Sequence, residues 1–315
     1  MKQKDIYVEI AEAVGRKMGD NFVVELHEVV KENDNVQHGL VIRDNAKSVA
    51  PVLYLDQTVE ELGQLMPAEV MADKIIQMYE EIGEPPIEME GFSLEWEDIK
   101  DNLELHVAGL QLNRERLKDA LYLPAGNGLV LVPYIRVAEV GDGYMQCMIT
   151  KEIADNSNYD LGELFGRAME NTVEKYPPVL GDLTDMMLHL STDRETDPRS
   201  EDFALPEEEG MLVLTTEDGA NGATALFYPE VQERIGMILG NDYYVIPSST
   251  HEVMIAPQHP DLDPAYLQEV LREGNRSVVS PEEVLSNNVL IYNTKMRDLT
   301  EIRVQERAGE ERGER

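Results

Sequence analysis

Residues 243–257 read YYVIPSSTHEVMIAP and place one polar cluster between two apolar runs. Apolar runs on either side of a short polar segment predict two strands joined by a turn. The turn holds the tightest grouping of nucleophile-type and base-type side chains in the sequence. The candidate catalytic residues are therefore Ser248, Ser249, His251 and Glu252.

Two interpretations of this turn stay open. In the catalytic one, His251 removes a proton from Ser248 or Ser249, as nucleophilic catalysis by serine requires. In the structural one, the serines hydrogen-bond the turn backbone and His251 or Glu252 pins the hairpin. No G-x-S-x-G sequence accompanies the serines, and strand alternation would point Glu252 away from His251. The structural interpretation is the better supported of the two.

The region around this hairpin predicts a C-terminal unit. Residues 211–299 follow the pattern β-β-α-β-β-α-β, with the second strand at residues 223–228. The acidic, proline-broken residues 191–210 predict a linker before this unit. The charged residues 300–315 predict a disordered tail after it.

The earlier part of the chain also alternates helices with strands. Residues 1–88 predict an α-β-β-β-α unit whose last helix begins near Pro67. Residues 89–190 predict a middle α+β unit, with residues 113–120 helical. A chain of 315 residues is long for one core. We therefore expect an α+β fold with mixed, largely antiparallel sheets flanked by helices, in two or three subdomains.

The net charge is −35, and it is spread over the chain. Between Asp56 and Glu104, for example, the only basic residues are Lys74 and Lys100. Such a surface repels phosphate backbones and anionic membranes, which argues against direct nucleic-acid binding and membrane association. Three explanations remain: solubility, attraction to a basic protein partner, and mimicry of a nucleic acid.

Cysteine usage and the apolar runs indicate the compartment. Cys147 is the only cysteine, which excludes an internal disulfide and a cysteine-based metal site. The N-terminal segment lacks the apolar core of a secretory signal, and no run approaches the roughly 20 apolar residues of a membrane span. We expect a cytoplasmic protein. No phosphate-binding loop or dinucleotide fingerprint is present, so no cofactor is predicted.

The histidines do not have the spacing of a metal site. His251 and His27 are each followed by a glutamate, but neither has a second histidine four positions on, as a zinc-binding helix requires. His27 and His38 fall on neighbouring predicted strands and could face each other, although two unrelated histidines are the commoner outcome. No metal site is predicted.

Asn275 and Arg276 are candidate binding residues. A guanidinium can hold an anionic ligand with two parallel hydrogen bonds, here in a pocket between the domains. The alternative, which we favour, is that Arg276 ties its helix to Glu282 or Glu252.

Four segments of the chain stand out together: VVKENDNVQHGLVIRD, APVLYLD, the 243–257 stretch and NRSVVSPEEVLSNNVLIYN. They resemble an uncharacterised bacterial family, a domain of unknown function common in gut-associated Gram-positive bacteria, and residues 246–253 are the most specific part. The resemblance covers Ile6 to about Asn293. It implies an intracellular protein but no established activity, so it assigns no catalytic residue.

The sequence thus favours an acidic cytoplasmic module that binds or regulates a basic protein partner, with nucleic-acid mimicry as a narrower version. The alternative is an unrecognised hydrolase that uses Ser248 or Ser249 with His251.

Overall fold

The computed structural model describes residues 5–45, 50–63, 65–82, 93–140, 143–183, 198–199 and 210–302. The chain divides into two compact units. Unit 1 comprises Met1–Ser93 and Val137–Gln146, and unit 2 comprises Leu94–Arg136 and Cys147–Arg315. The fold is α+β with mostly antiparallel sheets, which confirms the predicted class.

Unit 1 packs helices against one face of a three-stranded antiparallel sheet, in the order β1-β2-β3. Its elements are α1 (Ile6–Met18), β1 (Phe22–Val30), β2 (Val36–Asp44), β3 (Val52–Tyr54), α2 (Leu55–Leu62) and α3 (Ala68–Ile82). The core joins Leu40 and Ile42 of β2 to Val14 of α1 and Ile75 of α3, all fully buried. Burial of such side chains contributes about 1.5 to 3 kcal/mol each.

Unit 2 contains most of one antiparallel sheet, whose residues 137–146 are assigned to unit 1, and a second, six-stranded antiparallel sheet. The first has β4 (Leu103–Gly109), β5 (Leu123–Gly126), β6 (Leu129–Val140) and β7 (Gly143–Met148), with β6 paired to the other three. The second has the order β13-β12-β10-β11-β9-β8. Its strands are β8 (Pro178–Asp182), β9 (Leu212–Thr216), β10 (Tyr243–Ile246), β11 (Val253–Pro257), β12 (Leu290–Asn293) and β13 (Asp298–Glu301).

Helices flank both sheets of unit 2. They are α4 (Trp96–Ile99), α5 (Lys151–Asn156), α6 (Leu161–Lys175), α7 (Val231–Leu239) and α8 (Pro264–Ser277), with a 3-10 helix at Gly222–Phe227. One core cluster combines residues of both sheets with α6 and α7, including Leu105, Leu164, Ile235 and Tyr243. A smaller cluster places Leu267 and Leu271 of α8 against the six-stranded sheet.

Three predicted elements are corrected. The segment expected to be a strand at residues 223–228 is instead the 3-10 helix. At its first residue, Gly222, the chain lies close to the His251 carbonyl, and it turns there instead of continuing in an extended conformation. Residues 113–120 form turns rather than a helix, and the Asn113 amide bonds the Gly109 carbonyl. The tail cannot begin at residue 300, because β13 continues to Glu301.

The predicted linker and tail lie mostly outside the described residues. Of residues 191–210, only 198, 199 and 210 are described, and the chain after residue 302 is not. The sequence pattern also missed α2, whose Leu55, Thr58 and Val59 are buried on one helical face. A helix this short, directly after a strand, leaves too few apolar positions to reveal its period.

Strand β4 lies at one edge of its sheet, and hydroxyl groups cover that edge. The backbone N–H of Leu105 donates to Thr172 Oγ1 at 2.8 Å, and that of Val107 donates to Thr224 Oγ1 at 3.0 Å. Both threonines are buried. These two outward N–H groups are therefore satisfied without a neighbouring strand.

Candidate functional site

The polar cluster of residues 248–252 forms the turn between β10 and β11, which pair antiparallel from Tyr243 with Pro257 to Ile246 with Met254. Ser248 and Ser249 are buried, with 8% and 4% of their surface exposed. Ser249 Oγ accepts a hydrogen bond from the His251 backbone N–H at 3.0 Å. This bond is the local side-chain-to-backbone bond expected of a serine in a turn.

A second segment of the chain holds this turn in place. The Thr250 N–H donates to the Glu283 carbonyl at 2.9 Å, and the Leu285 N–H donates to the Ser248 carbonyl at 3.2 Å. On the other side, Thr215 Oγ1 donates to the His251 carbonyl at 2.8 Å. The turn is therefore bonded through its backbone to residues on both sides.

The His251 ring does not form a serine–histidine pair in the described part of the chain. Its Nε2 lies 3.4 Å from Glu283 Oε1, and none of the described hydrogen bonds joins the ring to Ser248 or Ser249. Burial raises the pKa of the neighbouring Glu252 carboxyl, and Glu283 adds to this, while His251 opposes it. The four candidate residues lie in one turn, but the described hydrogen bonds hold the turn in place and do not join a serine hydroxyl to the His251 ring.

Asn275 and Arg276 lie at the end of α8 and point to different roles. The Asn275 side chain donates to the Ser286 carbonyl at 2.8 Å and so ties the helix to the segment before β12. Arg276 is exposed and pairs with Glu273 at 3.5 Å, one turn earlier in the same helix. The prediction that Arg276 pairs with Glu282 or Glu252 is therefore corrected, because its observed partner is Glu273.

His27 and His38 lie on paired strands but on opposite faces of the sheet. In the register of β1 and β2, His27 is opposite Gly39, and His38 is opposite Glu28. Residues directly opposite each other share a face, and neighbours along a strand alternate. The two imidazoles therefore cannot face each other.

His38 instead belongs to a cluster that joins three elements of unit 1. Its Nδ1 lies 3.0 Å from Asp56 Oδ1, its backbone N–H donates to Asp56 Oδ2 at 2.6 Å, and its ring stacks on Tyr7 at 3.5 Å. The Tyr7 hydroxyl also donates to Asp56, at 3.1 Å. Burial would raise the pKa of Asp56, but the bonds from His38 and Tyr7 outweigh it and lower the pKa.

This cluster orients one imidazole. The ionised Asp56 can only accept, so Nδ1 of His38 is the donor and a neutral ring carries its lone pair on Nε2. Catalytic histidines are oriented by carboxylates in the same way. Here the same bonds also tie α1 and α2 to β2, which is a structural role.

Unit 2 contains a buried ionised carboxylate that sequence analysis did not single out. The Glu104 side chain is 2% exposed, and its Oε1 accepts from Arg136 Nε at 2.8 Å and Lys175 Nζ at 2.7 Å. The Tyr176 hydroxyl donates to the same oxygen at 3.1 Å. His106 Nε2 lies 3.7 Å from Oε2, beyond hydrogen-bond distance, and Oε2 has no hydrogen bond to any described residue.

The cations keep this carboxyl charged. Burial would raise the pKa of Glu104, but interactions with His106, Lys175 and Arg136 outweigh it and lower the pKa from 4.5 to about 2. A carboxylate that is ionised at all physiological pH values is not a proton donor. Glu104 is therefore suited to hold its cations in position rather than to transfer a proton.

Sequence reasoning missed this cluster because its members are far apart in the chain. Arg136 and Lys175 lie 32 and 71 positions after Glu104. Glu104 and His106 alternate with apolar residues of β4, a pattern that predicts an exposed face, yet both are buried. No local pattern distinguishes a polar strand face turned to water from one covered by a salt bridge.

The described ranges contain neither a candidate metal centre nor a membrane-spanning helix. No three or more histidine, cysteine, aspartate or glutamate residues there are grouped so that they could hold a metal ion. Within the same ranges, no helix has the length and apolar character needed to cross a bilayer.

Comparison with known proteins gives the family. A family model described as a family of unknown function (DUF5688) matches residues 4–294, so the chain belongs to this family. No curated protein matches the chain, and no solved structure matches it.

Proposed function

We propose that the protein is a cytoplasmic bacterial module that binds a basic protein partner through its acidic surface. The observation that carries this proposal is the charge at two helix ends in unit 1. The last turn of α2 contains Glu60 and Glu61, and the last turn of α3 contains Glu80 and Glu81. All four are exposed, and neither last turn contains a basic residue.

This arrangement is unfavourable for folding. The C-terminal end of a helix already carries partial negative charge, so a carboxylate there costs about 0.3 to 1 kcal/mol at low ionic strength. A cationic partner would remove that repulsion on binding. Acidity that served solubility alone would be as effective at helix N-termini, where it also stabilises the helix.

Neutralising the glutamates at one helix end tests the proposal. We expect E80Q/E81Q to stabilise unit 1 by about 0.5 to 1 kcal/mol, because it removes two charges from the negative end of α3. Glutamine keeps the acceptor that Glu81 offers to the Gln77 side chain at 2.8 Å. The same variant should lose affinity for the partner, measured on proteins captured at low salt, identified by mass spectrometry and titrated over increasing salt.

The matched control is E152Q/E163Q, which removes two exposed glutamates from the first turns of α5 and α6. It changes the net charge equally but should destabilise slightly and leave the partner affinity within about twofold. Equal losses of affinity in both variants would mean that binding follows total charge alone. Capture of no basic protein at low salt would contradict the proposal.

Nucleic-acid mimicry is the narrower form of this proposal. Its support is the same excess of exposed carboxylates, which can occupy a groove built for phosphates. In that case a nucleic acid would compete for the captured partner, whereas an unrelated polyanion of equal charge would compete less well.

The hydrolase alternative rests on Ser248, Ser249 and His251. It predicts covalent labelling by a serine-reactive probe that Ser249→Ala, Ser248→Ala or His251→Ala abolishes without loss of stability. The bonded turn instead leads us to expect no labelling, and a loss of about 1 kcal/mol for Ser249→Ala from its bond to the His251 N–H.

A further inference from the structure

We infer that the free edge of β1 pairs with β1 of a second copy of the chain, antiparallel and centred on Leu26. This self-association surface is independent of the proposed function. It follows from three features of β1: its open backbone groups, its length, and the order of its side chains.

The backbone groups of the edge can be assigned from the hairpin. The Lys31 N–H donates to the Asn35 carbonyl, and the Asn45 N–H donates to the Asn21 carbonyl. Because bonded pairs alternate in an antiparallel ladder, the odd-numbered residues of β1 bond to β2. The N–H and C=O groups of the even-numbered residues point to the other side, and in the middle of the strand these residues are Val24, Leu26 and Glu28.

This other side is open in the described part of the chain. β1 is the terminal strand of the order β1-β2-β3, and none of the described residues hydrogen-bonds the outward N–H groups of Val24, Leu26 or Glu28. The strand has nine residues, which is long for an unprotected edge. Such an edge is a template for another strand.

The side chains select one register. When Leu26 is opposite Leu26 of the second copy, Glu25 is opposite His27 and Val23 is opposite Val29, in each case on both sides of the two-fold axis. These pairs are the non-hydrogen-bonded ones, in which side chains lie closest, with Cα atoms about 4.5 Å apart. Apolar pairs at such positions are favourable, and so is a glutamate opposite a histidine whose imidazole is protonated.

Other two-fold registers are worse. Centring the pair on Glu25 or Glu28 places a glutamate against itself, and centring it on His27 places two histidines together. The Leu26 register also overlaps all nine residues of the strand. Glu25 and His27 are already 3.7 Å apart within one strand, and each side chain is more than half exposed, so both are available to a partner strand.

The product would be a continuous six-stranded antiparallel sheet across two copies. Val24, Leu26 and Glu28 of each copy would each donate one N–H to the other copy. An edge contact of this size is small, so we expect a reversible dimer with a Kd on the order of 10 to 100 µM.

Charge exchange at Glu25 and His27 tests the register. E25K places a lysine against His27, and H27E places a glutamate against Glu25, so each variant alone should raise the dimer Kd about tenfold or more. In the mixed dimer the introduced lysine lies opposite the introduced glutamate, and the original pairing of Glu25 with His27 is restored at the other position. We therefore expect the mixture to dimerise, measured by sedimentation equilibrium of the full chain at concentrations on the order of 1 to 300 µM.

A backbone variant separates pairing from charge. Glu28→Pro removes one outward N–H but none of the bonds to β2, and proline is tolerated at such edge positions. It should remain folded by circular dichroism and be monomeric. The proposal is overturned if the unmodified chain stays monomeric over this range, if the variants dimerise as well as it does, or if the mixture fails to recover.

Discussion

Replacing Gly222 by alanine is expected to destabilise unit 2 by about 3 kcal/mol or more. A Cβ at this position would overlap Thr215 Oγ1 and the His251 carbonyl oxygen, and it would lie 2.8 Å from the Thr216 nitrogen. Two of these are backbone atoms, which cannot move without disturbing β9 and the 247–252 turn. The cost therefore exceeds that of crowding one flexible side chain.

Gly166→Ala is the matched control. Gly166 lies inside α6 in the same unit, and a Cβ there would meet nothing within 4 Å. Alanine should stabilise the helix by about 0.5 to 1 kcal/mol. Trp96 is the sole tryptophan in the sequence and belongs to unit 2, so its fluorescence during urea unfolding reports on this unit. Similar small effects for both glycines would show that the turn does not need close backbone approach.

Glu104→Gln should lower the free energy of unfolding of unit 2 by about 3 kcal/mol at pH 7. The substitution leaves the Arg136 guanidinium, 15% exposed, without the charge that compensates it. The pH dependence is an independent check. The folded-state pKa of Glu104 is depressed to about 2, from 4.5, so its stabilisation is complete above pH 4.5 and is lost as the pH falls towards 2.

The difference between wild type and Glu104→Gln should therefore shrink below pH 4.5, because protonation removes the same charge from the wild type. Urea unfolding followed by Trp96 at pH 7, 5, 4 and 3 would measure it. Glu174→Gln, at an exposed position of α6, removes the same charge and should change stability by less than about 0.5 kcal/mol. A constant difference across this range would rule out the ionised form of Glu104 as the source of stability.

The hairpin of residues 243–257 could be predicted because its strands and turn are local. Alternation and turn residues specify such a unit within fifteen positions, and the register of β10 and β11 agrees. Residues 223–228 failed because a short apolar run fits a strand or a helix equally well. What decides between them is the close approach of Gly222 to a carbonyl 29 positions later, which no local pattern contains.

The candidate residues show the same limit. The sequence predicts Ser248, Ser249 and His251 in one turn, but it does not indicate Glu283, whose carboxylate lies 3.4 Å from the His251 ring. Similarly, the sequence singles out His38 but not its partners Asp56 and Tyr7, because these two residues come from two different helices. When tertiary packing brings together two residues that are far apart in the sequence, the spacing of residues along the chain does not reveal the contact.

The hydroxyl cover of β4 bears on how this family can change over evolution. The hydroxyl groups that cover the outer edge of β4 belong to Thr172 and Thr224, which lie outside the strand. They accept hydrogen bonds from backbone N–H groups, which every residue type except proline possesses. The side chains of β4 can therefore drift without creating an adhesive edge, as long as both positions keep a hydroxyl. Among the described residues, none covers the outward N–H groups of β1 in this way, so the side chains of β1 itself must determine which strand can pair with it.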